Sequence, residues 1–398
     1  MLSQHSERPA TRSNAANSGG LAAAPRIAVI APQFPEYSLQ YARSLSNYAE
    51  VLACVDTDQM LDEYAGRDPP IGEIQHFRPT RFRTPLDLLT LLVRVIRYRP
   101  AVIHFQESAG PRRSLFSACI ATLMKPFALI VLTVHDPVAH SGRDQATARR
   151  AAWIHAYVRR WSDLIVVNSA YCATHFRQDR RRIRRQKVIV SEHGVILEPS
   201  NLSATAHAGI KLYFFGRMEH YKGVEVALRM AEILDERNLD FHLHIAGRGP
   251  ELDRLQNRFE ALSQVEVFNG FVPPRQIIDS IQATDCVILP YLNATQSGVL
   301  AAAFAGRRCV IASEVGGLGD VVEHMRNGML VPPGDPQALA DAVLALAADA
   351  DLRTRLGQGA HLTAVTRLNW DRISQDLFDT FLRANSERRG RRRPACYG

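Results

Sequence analysis

The chain has 398 residues, 46% of them hydrophobic, with a net charge of +8 and a pI near 9.4. That length suits two cores rather than one, and the apolar content is that of an ordinary globular protein. No apolar run is long enough to cross a bilayer, and the six cysteines form no C-x-x-C pair, which argues against a zinc site and a disulfide framework.

Residues 1–24 are rich in Ser, Asn, Ala and Gly and read as a disordered tail without an apolar signal core, so the expected location is cytoplasmic. From Arg26 onward short β-rich runs alternate with helical patterns. Strands are expected at Ile27 to Ala31, Val51 to Val55, Val102 to Phe105, Leu129 to Val134 and Leu164 to Asn168. After the polar break at residues 198–209 the rhythm restarts at Lys211 to Phe215, His242 to Ala246, Val265 to Phe268, Cys286 to Leu289 and Cys309 to Ala312. This is the pattern of an α/β chain with two Rossmann-like, doubly wound domains facing a central cleft, over residues 25–200 and 201–365. A terminal helix over 366–385 follows, carrying Trp370, Ile373, Leu377, Phe378 and Phe381 at helical spacing, and then a basic tail over 386–398, expected to be disordered.

The most telling stretch is Phe214 to Gly223. An apolar strand runs into the turn at Gly216, and Arg217 and Lys222 stand at the mouth of a helix periodic in Val224, Ala227, Leu228, Ala231 and Leu234. A helix N-terminus with two added cations suits a diphosphate. A second glycine turn, Gly247-Arg248-Gly249-Pro250, ends another strand. The loop Asn293 to Val299 then offers the N–H groups of Ser297, Gly298 and Val299 with the Thr295 and Ser297 hydroxyls as a second phosphate cradle. A plain helix cap accounts for Ser297 as well.

Taken together, these pieces resemble the GT-B glycosyltransferases, specifically the retaining enzymes of glycosyltransferase family 4. The matching segments are Phe215-Gly216-Arg217 with Lys222-Gly223, Ala246 to Pro250, Asp285 before the strand ending Pro290-Tyr291, Ala312 to Gly317, and Asn327 to Asp335. The resemblance implies a nucleotide sugar held by the second domain with its diphosphate on Arg217 and Lys222. It also implies a catalytic role for His135, at the end of Thr133-Val134-His135-Asp136, near the donor's anomeric carbon. A strand-end histidine satisfied by Asp136 is the plain alternative. The chain departs from the family where paired glutamates flank the donor loop: Ala294 and Ala302 stand at those positions, or Asn293 and Ala301 if the register shifts by one, and neither placement restores a carboxylate.

Three residues are expected on the acceptor side of the cleft: Phe34 and Tyr37 in a proline-stiffened loop, as stacking platforms or equally as part of a hinge, and His104 at a strand end. Glu192-His193-Gly194 reads as a structural turn. No cofactor and no metal are expected, since two cations already oppose the diphosphate.

The basic charge is clustered at Arg177 to Lys187, at Arg388 to Arg393, and over Arg78 to Arg99, where leucines thread through the arginines. Such clusters suit an anionic membrane surface, and the last segment equally suits a helix packed on a sheet with a solvated arginine edge. Nucleic acid is not expected, since the runs lack interleaved aromatics. The combined reading is a retaining transferase that moves a sugar from a nucleoside diphosphate to a lipid-linked or glycan acceptor, in the setting of bacterial surface polysaccharide, at the inner face of a membrane. A silent nucleotide-sugar-binding or scaffold protein and a GT-B epimerase stay open beside it.

Overall fold

The computed structural model describes residues 24–64, 68–71, 73–78, 84–137, 143–178, 187–197 and 208–392. The tail over 1–23, most of the arginine run after Arg177 and the last six residues lie outside the described residues.

The first domain runs β1 (Arg26–Ala31), α1 (Pro35–Leu45), β2 (Glu50–Asp56), α2 (Thr57–Tyr64), β3 (Ile74–Phe77), α3 (Thr84–Tyr98) and β4 (Val102–Gln106). It continues through α4 (Pro111–Met124), β5 (Leu129–Val134), α5 (Arg143–Trp161), β6 (Leu164–Val167), α6 (Ala170–Gln178) and β7 (Lys187–Val190). Its seven strands are all parallel, in the order β3-β2-β1-β4-β5-β6-β7. The second domain begins β8 (Ile210–Arg217), α7 (Val224–Glu236), β9 (Phe241–Arg248), α8 (Pro250–Glu260), β10 (Val265–Asn269) and α9 (Pro274–Ala283). It goes on through β11 (Cys286–Leu289), α10 (Gly298–Ala305), β12 (Cys309–Ser313), β13 (Met329–Val331), α11 (Pro336–Ala348), α12 (Ala350–Thr366) and α13 (Trp370–Arg392). Its sheet order is β10-β9-β8-β11-β12-β13.

All ten expected strands are present, and three were unforeseen: β3, β7 and β13 are short edge strands whose residues are mostly not buried, so they lack the continuous apolar run that marks the equally short β6 and β11. The inner strands of both sheets are mostly buried on their two faces, as the crossover helices of a parallel sheet require, while the edge strands β3, β7 and β10 stay largely open. Strand alternation divides the first core into two layers. Ala28, Ile30, Ile103, Phe105, Ile130 and Leu132 meet α3, α4 and α5, while Val29, Val102, Val131 and Val166 meet α1 and α13.

Helix α13 therefore completes the first domain from the far end of the chain. Trp370, Ile373, Leu377 and Phe381 are buried against it, and Ser44 Oγ donates to Asp371 at 2.6 Å. The Trp370 indole donates to the Val195 carbonyl at 2.6 Å and lies so close to Gly194 that a Cβ there would sit 2.4 Å from the ring. The helix also corrects the expected tail, since it runs past residue 386 to Arg392, and Arg388 donates to the Lys125 carbonyl. Among the described residues no helix is long and apolar enough to cross a membrane.

Replacing Trp370 with Ala removes a buried indole and its hydrogen bond, and is expected to cost about 3–5 kcal/mol. A denaturant titration that leaves the first unfolding midpoint unmoved contradicts this role for α13.

Candidate active site

The carboxyl ends of the two sheets meet. β8 delivers Arg217, whose Nη2 donates to the Tyr221 hydroxyl at 3.0 Å across the short turn that carries Lys222. That turn closes on Gly223, with φ of 70°, where a Cβ would sit 1.8 Å from the Pro290 carbonyl oxygen. Only glycine allows this approach, which brings Lys222 onto the end of β11. The ammonium lies 3.8 Å from the centroid of the Tyr291 ring, a cation–π contact. Burial, then the neighbouring Arg217, push the Lys222 pKa down to about 7, while Asp136 works the other way.

The loop after β11 closes the far side. Ser297 caps α10, accepting from Leu300 N at 3.3 Å, and lies 3.4 Å from the Tyr291 hydroxyl. The plain cap reading of Ser297 thus holds alongside its place in the loop. Val299 lies beside Gly216, and Gly298 faces His193. Thr295 differs from the expectation, because it is buried and its hydroxyl donates to Asp136 of the first domain. Its oxygen is engaged in joining the domains. Gly247 and Gly249 also differ: a Cβ at each would collide with the backbone oxygens of Gly216 and Met218, so they serve the close packing of β8 on β9.

On the first domain His135 follows β5 and is almost wholly buried. Its ring lies 4.3 Å from that of Phe34 and 4.9 Å from that of Tyr37. Its Nε2 lies 2.9 Å from Gln106 Oε1, so with the amide oxygen facing it this nitrogen carries the proton, and the Asp136 carboxylate acts on the ring as a nearby charge. Burial pushes its pKa down to about 4, which leaves a neutral imidazole at neutral pH.

Two acceptor-side expectations need correction. His104 does not face the cleft; it is buried between Tyr41 and Phe381, with Nε2 2.7 Å from Thr133 Oγ1, and burial pushes its pKa down to about 3. Tyr37 is no open platform either, since it belongs to α1, is buried edge-on against His135, His193 and Trp370, and accepts from Asn168 Nδ2 at 3.3 Å. Phe34 alone stays half-exposed. It caps α1 with φ of 59°, a left-handed conformation unfavourable for a bulky side chain, and its ring shields His135.

Three polar atoms around this site are buried with no protein partner: Gln106 Nε2, Asn168 Oδ1 and Gln296 Oε1. Sequence reasoning gave none of the three a role, named Asp136 only as a partner for His135, and quoted Tyr291 only as part of a strand end. A signal existed for Gln106 and Asn168, polar residues at the ends of otherwise apolar strands. Ala294 and Ala302, where the family has glutamates, are buried in the second core, and the Ala294 carbonyl accepts from Gly317 N at 3.2 Å. Among the described residues no three His, Cys, Asp or Glu side chains gather as a metal site requires.

Sequence comparison assigns both halves. Residues 37–199 match the model of Glycosyltransferase Family 4, and residues 209–349 that of Glycosyl transferases group 1. The chain belongs to glycosyltransferase family 4. It is 34% identical over 184 residues to the D-inositol 3-phosphate glycosyltransferase of Xylanimonas cellulosilytica, covering 45% of this chain and 44% of that one. It is 29% identical over 171 residues to the amylovoran biosynthesis glycosyltransferase AmsK of Erwinia amylovora, covering 40% of this chain and 42% of the relative. Each match thus spans less than half of the curated relative. The Anabaena protein HepE, solved in complex with UDP-glucose, superposes with a TM-score of 0.68 at 17% identity, over 90% of this chain and 99% of that one. The fold is GT-B.

The Lys222 pKa fixes the sign of a pH dependence. The charged form that attracts phosphate is present below about 7 and lost above it, so a diphosphate ion should bind more weakly as pH rises through that value and should carry a proton in with it. Calorimetry in buffers of different ionisation heat reads the uptake, and Lys222→Met should abolish it. Gln106→Glu sets a carboxylate against His135 Nε2 and should raise the imidazole pKa by more than about one unit, measured by NMR titration.

Proposed function

We propose that the protein transfers a sugar, with retention of configuration, from a nucleoside diphosphate sugar to a lipid-linked or glycan acceptor. The observation that carries this reading is the pairing of Arg217 and Lys222 at the cleft, one cation on the strand end and one held over Tyr291. The two oppose the charge that gathers on the diphosphate as the bond from the anomeric carbon to the phosphate oxygen breaks, which is the task a bound cation performs in other sites. The acceptor oxygen bonds to the same face of that carbon, and its proton passes to the departing phosphate oxygen. No protein nucleophile is needed.

His135 serves as a neutral, fixed group in this scheme. Its low pKa makes it a hydrogen-bonding and positioning residue rather than a proton donor. The unsatisfied Gln106, Asn168 and Gln296 atoms are suited to sugar hydroxyls, because a buried polar group without a partner costs about 1–3 kcal/mol until one arrives. Phe34, half-exposed over His135, is the acceptor-side contact. Among the relatives, the name of one places it in amylovoran biosynthesis, which supports a glycan acceptor, while that of the other specifies inositol 3-phosphate, a small polyol phosphate outside both acceptor classes. The basic clusters support work at an anionic membrane surface.

A second reading, a silent nucleotide-sugar binder, is favoured by the burial of Ala294 and Ala302, which leaves no carboxylate where the family keeps two. A panel of UDP-, GDP-, TDP- and ADP-sugars, with and without EDTA, separates the two. The transferase should hydrolyse one donor slowly and equally in EDTA, and Arg217→Ala and Lys222→Ala should each lower that rate on the order of 10²–10³-fold. Stabilisation by a donor with no turnover, even with membrane extract as acceptor source, favours the silent binder.

A further inference from the structure

Helices α3, α4 and α5 lie side by side over one face of the first sheet, with Leu91 and Val95 of α3, Phe116 and Ile120 of α4, and Ile154 and Val158 of α5 turned into the core. Their outer face is not the polar one that such a layer usually presents to water. Leu86, Leu89 and Ile96 on α3 and Leu123 on α4 are each more than half exposed, Phe127 just beyond α4 is 75% exposed, and Trp153 on α5 is 69% exposed. The α3 side chains recur at helical spacing, so they form a stripe opposite the buried one. Apolar groups gathered on one layer to this extent mark an interaction surface.

The charge on the same layer identifies the partner. Residues 84–161 contain eleven Lys and Arg against four Asp and Glu, and α4 has no acidic residue; Arg94, Arg113 and Lys125 are paired with Glu73, Asp56 and Asp163 outside that span, which leaves the stretch basic still. Arg97, Arg150 and Arg160 are exposed among the apolar side chains. Beside the α3 stripe a groove of about 770 Å³ is lined by Val93, Arg94, Arg97 and Tyr98, with Glu50 and Glu73 paired to Arg26 and Arg94. Two copies of this face repel each other, which disfavours a symmetric dimer through it. Apolar side chains that insert shallowly, ringed by arginines that meet phosphate, are what an anionic bilayer surface takes.

We propose that the outer face of α3, α4 and α5 is a docking surface for anionic lipid. The proposal rests on the membrane reading above and names the surface that serves it. The first domain lies on the headgroups, and the cleft it shares with the second domain is held beside them.

The test is sedimentation of the full chain with vesicles of phosphatidylcholine alone or mixed with phosphatidylglycerol. The wild type should bind the mixed vesicles and leave the neutral ones. Combined Leu89→Gln, Ile96→Gln, Phe127→Gln and Trp153→Gln, and separately Arg97→Gln, Arg150→Gln and Arg160→Gln, should each weaken binding on the order of tenfold or more. Absence of wild-type binding, equal binding to both vesicles, or full binding by both variants overturns the proposal. Should the apolar variant fail to fold, quenching of wild-type tryptophan emission by brominated lipid decides instead. It should be present in the wild type and lost in Trp153→Phe, and quenching unchanged by that substitution counts against the docking face. Donor hydrolysis in vesicle-free buffer should be unchanged in the variants. Its absence from the wild type defeats the transferase reading while the vesicle result still decides the docking surface.

Discussion

The arrangement of this molecule depends on one anchor, the Trp370 indole set between Gly194 and Tyr37 and hydrogen-bonded to the Val195 carbonyl. Through it α13 leaves the second domain and seats on the first. Around it Arg367 reaches both the Glu192 carboxylate and the Asp320 carbonyl, and Tyr171 N donates to Asp320 at 2.9 Å. These contacts hold the carboxyl ends of two separate sheets against each other. The site residues sit at or beside such ends, so the anchor helps to set the cleft.

The cleft has an electrostatic division. The second domain contributes the cations and the cap of α10. The first contributes neutral hydrogen-bonding groups, His135, Gln106 and Asn168, together with Asp136, whose carboxylate lies near enough to Lys222 to favour its charged form. The Thr295 to Asp136 hydrogen bond crosses this division. It ties the donor loop to the end of β5, beside the Cys172 thiol that donates to the Thr295 carbonyl.

Much of this was legible in the sequence because a parallel α/β chain repeats its pattern, and because strand ends followed by glycine mark the sheet edge where ligands collect. Arg217 and Lys222 come from that logic alone. His104 shows where it fails. A strand end says that a residue is near the edge, but not which helix covers its face, and here the cover includes Phe381, more than 270 residues away. Tyr37 was misread because the prolines before it suggested a stiff loop, whereas Pro35 opens α1, where a missing N–H costs nothing. Ser297 shows a third limit: one hydroxyl can cap a helix and line a loop together, so two readings posed as alternatives were both partly right.

The return of α13 also has a consequence for how the chain is made. Ser44 and Asp371 are 327 residues apart in sequence yet bonded to each other. At ordinary ribosomal speeds, roughly 15–65 s separate their synthesis. During that time Leu39, Tyr41 and Val102 have emerged without the side chains that will cover them. The first domain to leave the ribosome is thus the last to be completed, and its nascent form exposes an apolar face that a chaperone, or the second domain as it folds, has to shield.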